Sequence, residues 1–269
     1  MAACGSSADE RGAATTTETV VRTIAAGELG EGGELRTCVD LASPPFAFTS
    51  AGRKTGFEVQ LLERIARRLG LRPVWLPTPR PDFATALKAR KCDVIVSRLG
   101  YDLDTQFRLN VGALQYIALP LVLVVREGSE TAPVALAELC GRRVAVVAWT
   151  APAFDAIEQR DECRRAGSRP PAITETPSSA AALVLVRTGR ADGLLEDVFT
   201  AEARLAGARG FATVEVSGRK GYVSLGYRKP GLSTEAGLHA ALLTLYEDGV
   251  VRRLVERWGL DRATLLPLP

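Results

Sequence analysis

The sequence predicts an α/β fold of two lobes, each with a mixed, mostly parallel sheet, joined by two hinge strands. Three observations predict it. From Glu34 onward, short β-rich apolar runs alternate with amphipathic helical patterns, the order expected of parallel strands with crossover helices. The same order then occurs a second time. One long apolar run leads into the second round, and another strand returns from it near Tyr222.

Each element follows from its local pattern. LRTCVDL reads as a strand and SPPFAF as an irregular loop. GFEVQLLERIARRLG reads as a helix. Its Leu61, Leu62, Ile65, Ala66 and Leu69 recur at helical spacing, Gln60, Glu63, Arg64, Arg67 and Arg68 fill the other face, and Gly70 suits the C-cap. LRPVWLP is a strand, RPDFATALKARK a helix and CDVIVSRLG an apolar strand. YIALPLVLVVREG is the long outgoing strand. In the second round VALAELCG is a short helix, RRVAVVAW a strand, and APAFDAIEQRDECRRAG and SSAAALVLVRTGR are helices. ADGLLEDV is a strand, VFTAEARLAG a helix, and YVSLGYRKP the returning strand. TEAGLHAALLTLYEDGVVRRLVERWG closes the chain with two helices. The expected division is residues 34–119 with 225–269 as lobe I and 120–224 as lobe II.

Composition excludes several functions. The chain has 269 residues, 46% hydrophobic and 24% charged, enough for one large or two medium domains. A net charge of +3 is too small to suggest nucleic acid. The single histidine, His239, lies in a helical pattern and reads as exposed. Zinc-type spacings and a phosphate loop are both missing, so neither a metal nor a cofactor is expected. No apolar run approaches the roughly 20 residues that span a bilayer. Residues 1–33 are rich in Ala, Ser, Thr and Gly and read as a tether.

Ligands of such sheets sit at the carboxyl ends of the strands. That rule gathers Asp40, Ser97 to Gly100, Trp149 to Ala151, and Glu196 with Asp197 around one cavity.

LRTCVDLASPPFAF, GFEVQLLERIARRLG, ALKARKCDVIVS, LCGRRVAVVAWT, RTGRADGLLEDV and LYEDGVVRRLVERWG, in this order, resemble the solute-binding proteins of amino-acid ABC transporters. The resemblance covers about residues 34 to 260. It implies the type II periplasmic-binding-protein-like fold, a monomer that captures a small polar solute by hinge closure, and an ABC permease as partner. It implies a periplasmic or cell-surface location and no enzymatic activity. Ala2-Ala3-Cys4-Gly5 resembles the end of a bacterial lipoprotein signal, so Cys4 is expected to carry a lipid, the one membrane contact foreseen.

Carried over by position, the resemblance implies a pocket that has drifted. Asp40 matches an aspartate after the first strand, and Asp197 matches the aspartate that holds a ligand's α-ammonium. Ser43 replaces an aromatic, and Phe46 follows in the same loop. The arginine that grips the α-carboxylate falls at Thr105, with Arg108 as a substitute one turn later. The glycines of the second-lobe loop fall at Trp149 and Ala151, with Thr150 between them. Arg80 stands where an aromatic is common; it reads as a solvated loop residue, with a pocket role as the alternative. Arg98 stands where a small residue is usual, directly ends an apolar strand, and reads as cleft-facing or paired. Trp149 either stacks on a ligand or covers the hinge, and Asp197 also suits the N-cap of the following helix. The ligand expected is a modified amino acid or small polar metabolite, its cationic part on Asp197 and Asp40 and its anionic part on the arginines.

Two other functions stay open. CVDLASPPF, KCDVIV and GYDL are similar to binding-like proteins found beside quinoprotein alcohol dehydrogenases, which implies a module that partners a dehydrogenase and carries no solute. Cyclohexadienyl dehydratases also resemble these receptors. Their acid falls at Thr200 here, which leaves Glu196 as the nearby acid. Cys140, just before a second-lobe strand, and Cys163, ending the next helix, fall at one sheet edge, and an exported protein meets an oxidising compartment, so a disulfide is expected. Cys38 and Cys92 lie on neighbouring strands but out of register, so that pair ranks lower.

Overall fold

The computed structural model describes residues 32–100, 111–129, 135–229 and 232–266. Cys4 and the tether to residue 31, Thr105 and Arg108 lie outside the described residues.

Strand β1 (Glu34–Val39) pairs in parallel with β5 (Arg72–Pro77) and β6 (Val94–Leu99). Helix α1 (Phe57–Arg68) and helix α2 (Phe83–Lys88) are their crossovers. Strand β8 (Arg143–Val147) likewise pairs in parallel with β9 (Ala172–Thr176) and β10 (Gly193–Asp197), crossed over by α3 (Ala151–Arg165) and α4 (Ser179–Arg187). Helix α5 (Val198–Leu205) follows β10, and α6 (Leu232–Glu247) and α7 (Val250–Arg257) pack back on α1.

Between the two halves run β7 (Val111–Arg126) and β11 (Phe211–Arg228), antiparallel from Phe211 opposite Arg126 to Arg228 opposite Val111. They join the halves into one nine-stranded sheet, order β5-β1-β6-β11-β7-β10-β8-β9, with β12 (Thr264–Leu265) on β7. The returning strand therefore starts at Phe211, well before Tyr222. FATVEV alternates as strongly as YVSLGY, and the apolar length of β7 gives both a partner.

Three local expectations change. The loop after β1 is a meander of β2 (Ala42–Ser43), β3 (Ala47–Ser50) and β4 (Arg53–Thr55). β9 went unread because AITET sits at the sheet edge, and four of its five residues remain partly or fully exposed. Arg68, assigned to the solvated face of α1, is buried and paired with Asp248.

Helix α1 behaves as its pattern demands. Leu61, Leu62, Ile65 and Ala66 are at most 3% exposed, each leucine or isoleucine so buried contributing about 1.5–3 kcal/mol. Gly70 ends it in the left-handed conformation, φ 67°. At the other end Gly56 has φ 125°, and a Cβ there would lie 2.1 Å from the Phe46 carbonyl oxygen. No side chain fits, so the turn into α1 requires glycine.

Both cysteine pairs are joined. Cys140 and Cys163 are bonded with Cα atoms 5.8 Å apart, and Cys38 and Cys92 with Cα atoms 5.7 Å apart. The register argument against the second pair fails because Cys92 is not a strand residue. It lies in the turn that brings the chain from α2 onto the sheet, so its Cα is not held at a ladder position. The bond is buried among Phe83, Leu87 and Ile95.

On loop entropy, the pair separated by 54 residues contributes about 4 kcal/mol and the pair separated by 23 about 3 kcal/mol. Urea melts of the Cys38→Ala/Cys92→Ala and Cys140→Ala/Cys163→Ala proteins check this. Both should lose stability, the first more. Wild-type stability in either double variant would contradict it.

Candidate functional site

Where β6 ends, the strand does not run straight on. Arg98 sits in the left-handed region at φ 53°, an uncommon conformation for a side-chain-bearing residue. Its N–H donates to both carboxylate oxygens of Glu58, each at 2.9 Å. Glu58 is the acid that follows Gly56 and Phe57 in the first turn of α1. Its carboxylate also accepts from the Tyr116 hydroxyl on β7. The glycine-aromatic-acid sequence thereby acquires a role: the glycine makes the turn, Phe57 is fully buried, and the acid holds the end of β6.

Held this way, Arg98 reaches across the sheet. Its Nη1 donates to Glu196 Oε1 at 2.7 Å and to Asp197 Oδ2, both at the end of β10 in the other half. The guanidinium lies 5.8 Å from the centre of the Phe46 ring. Arg98, Glu196 and Asp197 are each 2% exposed or less. Ser179 donates to Glu196 Oε2 at 2.7 Å, and Asp197 Oδ1 caps α5 by accepting from the Thr200 N–H at 2.8 Å.

Beside it lies a second ion pair. Arg80 is 1% exposed, so the solvated reading is overturned. It donates to Asp40 at 2.8 Å, to the Ser97 carbonyl at 2.7 Å and to the Ser43 hydroxyl at 2.8 Å. PTPRPDF looks exposed because of its prolines, but a single turn, Arg80–Asp82, folds the arginine under β1 and β6. Ser97 accepts from the Asp40 N–H at 2.8 Å.

The remaining residues close the junction. The Gly100 N–H donates to the Trp149 carbonyl at 3.0 Å, and Leu99 bridges Thr150. A Cβ on Gly100 would lie 2.2 Å from the Phe154 ring and 2.6 Å from the Thr150 backbone, so only glycine permits this approach. Trp149, half-buried, contributes its carbonyl oxygen to this contact. Below Arg98, between Leu119, Ala151 and Gly221, there is no room for a water molecule. Space opens instead on the far side of Arg80. A cavity of about 450 Å³ is lined there by Asp40, Leu41, Thr78, Arg80, Pro81 and, from the other half, Pro177.

The carboxylates and arginines assigned to opposite ends of a ligand thus pair with each other. This corrects the expectation that a ligand cation must meet Asp197 and Asp40. The physics of that expectation holds, since buried carboxylates need cations, but the chain supplies them. Thr105 and Arg108 lie outside the described residues. Glu58, Tyr116 and Ser179 were missed. For Glu58 a signal existed, an acid directly after a glycine-aromatic turn, but it reads equally as a favourable first-turn charge.

Protonation follows from these contacts. Burial lowers the Arg80 pKa to about 10, with Arg98 adding to the effect and Asp40 opposing it. Burial would lower Arg98 too, but Glu196 and Asp197 outweigh it and hold the charge. Burial pushes Glu196 up, yet Arg98 and Ser179 bring it below the ordinary carboxylate value. Asp197 is raised by burial against Arg98, with the Glu196 charge adding to the rise. Glu58 is raised by burial, against the hydrogen bonds from Tyr116 and Arg98. Among the described residues no cluster of His, Cys, Asp and Glu could hold a metal ion.

Glu58 gives a pH prediction. A raised pKa means that its contribution to stability is full below its ordinary value of 4.5 and is lost as pH rises through the folded value. Glu58→Gln has no such titration. The stability of wild type minus that of Glu58→Gln, from urea midpoints, should therefore fall as pH rises above 4.5. A difference that grows with pH would contradict the assignment.

Comparison with known proteins places this geometry. Residues 35–261 match the family model described as bacterial extracellular solute-binding proteins, family 3. The L-cystine-binding protein of Escherichia coli K12 is 22% identical over 232 residues, covering 85% of this chain and 83% of that protein. Among solved structures, ArgBP from T. maritima superposes with a TM-score of 0.68 at 25% identity, covering 84% of this chain and 95% of that one. An ancestral amino acid-binding protein, a precursor of cyclohexadienyl dehydratase, superposes with a TM-score of 0.66 at 23% identity, covering 84% and 95%.

Proposed function

The chain belongs to family 3 of the bacterial extracellular solute-binding proteins, and we propose that it captures a small polar solute at the junction of its halves for ABC-type import. In this reading residues 34–119 with 225–269 form one lobe, 120–224 the other, and β7 and β11 are the hinge strands on which a monomer closes. The relatives' names speak of cystine and amino acids, which favours an amino-acid-like or amine- and carboxylate-bearing solute.

The observation that carries the reading is the convergence of Asp40, Arg80, Arg98, Glu196 and Asp197, from the strand ends of both halves, on one junction. The cavity of about 450 Å³ beside Asp40 and Arg80 is of metabolite size and has walls from both halves. Its prolines and Leu41 suit the apolar body of a solute, and Asp40, 18% exposed, offers the polar contact.

Catalysis of the dehydratase type is disfavoured by the ionised state of Glu196. A general acid needs a proton near neutral pH, and Arg98 with Ser179 keeps Glu196 ionised. One observation favours a second reading, a module that carries no solute: Arg98 already fills the acidic pair that would take an ammonium.

Native mass spectrometry of protein purified without denaturation is the test. A bound metabolite should be retained, and calorimetry should find its affinity at least about tenfold weaker in Asp40→Ala. Retention of nothing, with no response to metabolites, would overturn the solute reading in favour of the second.

We infer a lipid anchor at Cys4, which would keep the protein outside the cytoplasm but on a membrane. Expressed behind a lipoprotein leader, wild type should partition into detergent and Cys4→Ser into buffer. Equal partitioning would remove the anchor.

A further inference from the structure

Arg98 does more than line the junction. Its backbone is fixed in one half by Glu58, in a left-handed conformation, while its guanidinium lies between two carboxylates of the other. The way it lies there is informative. A free guanidinium meets carboxylates as a fork, two parallel N–H donors to a pair of acceptors. Here Nη1 alone serves both Glu196 and Asp197, and Nε, buried, has no hydrogen-bond partner among the described residues. The acidic pair is built for a cation, and the arginine that fills it is held by its own backbone away from the best geometry.

We propose that Arg98 is a resident occupant of a cation site, filling the Glu196–Asp197 pair from across the junction and thereby pinning the two halves together. The natural guest of that site is a guanidinium or amine group, and Arg98 excludes it. Where the solute is concerned, this rests on reading the junction as the solute site. A solute whose cationic group would sit on Asp197 must displace Arg98, so the pair selects against simple amino acids. The solute is left the Asp40 side, where the cavity lies.

The pinning is itself structural. The bridge of Leu99 with Thr150 and the Gly100 bond to Trp149 accompany Arg98 at this contact, as do the Phe46 ring packed edge-on against Phe199 and the bond from Arg204 to the Ala42 carbonyl; none of these supplies a charge to the acidic pair. Removing the guanidinium leaves two buried carboxylates without the cation that touches them, so the site should accept a replacement from solution.

The test is chemical rescue with methylguanidinium. Arg98→Ala should melt below wild type, and about 20 mM methylguanidinium chloride should raise its Tm by about 3 °C or more. The same salt should shift wild type by less than about 1 °C, and likewise the Arg98→Ala/Glu196→Gln/Asp197→Asn protein. Equal shifts in all three would overturn the proposal. Should Arg98→Ala fail to fold, Glu196→Gln/Asp197→Asn carries the test. Its Gly100 amide should then exchange with solvent at least about tenfold faster than in wild type, and equal exchange would overturn the proposal. No solute enters these measurements, so a failed search for one leaves the proposal standing, and a failed rescue leaves solute capture beside Asp40 open.

Discussion

A buried guanidinium cannot be left without carboxylates, and this constraint organises the junction. Breaking a buried ion pair costs about 3–5 kcal/mol, because the surviving charge is stranded in a low-dielectric site. Arg98 and Arg80 are the two largest fully buried side chains in the described chain. The polar residues around them are fixed by their needs. Asp40, Ser43 and Ser97 face Arg80, and Glu196, Asp197 and, through its backbone, Glu58 face Arg98. The fold supplies the means. Parallel strands of both halves end at one line, and β7 and β11 set the two ends facing each other.

The same charges bear on Asp197, which the resemblance matches to an ammonium-holding aspartate and which here pairs with Arg98. Asp197 caps α5 through the Thr200 N–H while it pairs with Arg98, so the fold has a use for this carboxylate besides holding a cation. The arginine at the end of β6 supplies the cation that the acidic pair needs. The second arginine repeats the arrangement at Asp40, leaving the least buried of these carboxylates nearest the open cavity.

Much of this was legible in the sequence. The period of α1, the apolar runs of β6 and β7 and the twice-repeated strand-helix order carry strong local signals, and they placed the halves and the strand ends. The meander after β1 and the edge strand β9 carry weak ones. Ala172–Thr176 alternates too shallowly to be read, and Pro44-Pro45 looks like a loop. The site was legible as a list of residues and illegible as a set of pairs. Nothing local distinguishes Arg80 folded under the sheet from an arginine in solvent, because its partners lie 40 and 37 residues away. The partners of Arg98 are 98 and 99 residues away. Cys38 and Cys92 show the same limit at shorter range, where a turn moves one cysteine out of the register that strand counting assumes.

The central claim is that Arg98, by filling the Glu196–Asp197 pair, holds the two halves in this arrangement without a solute. Small-angle X-ray scattering tests it most directly, on wild-type protein stripped of solute by unfolding with its disulfides intact and then refolded. The account predicts a radius of gyration equal to that calculated from the structure described here, and unchanged by added solute. A larger radius that contracts only when a solute is supplied would contradict it.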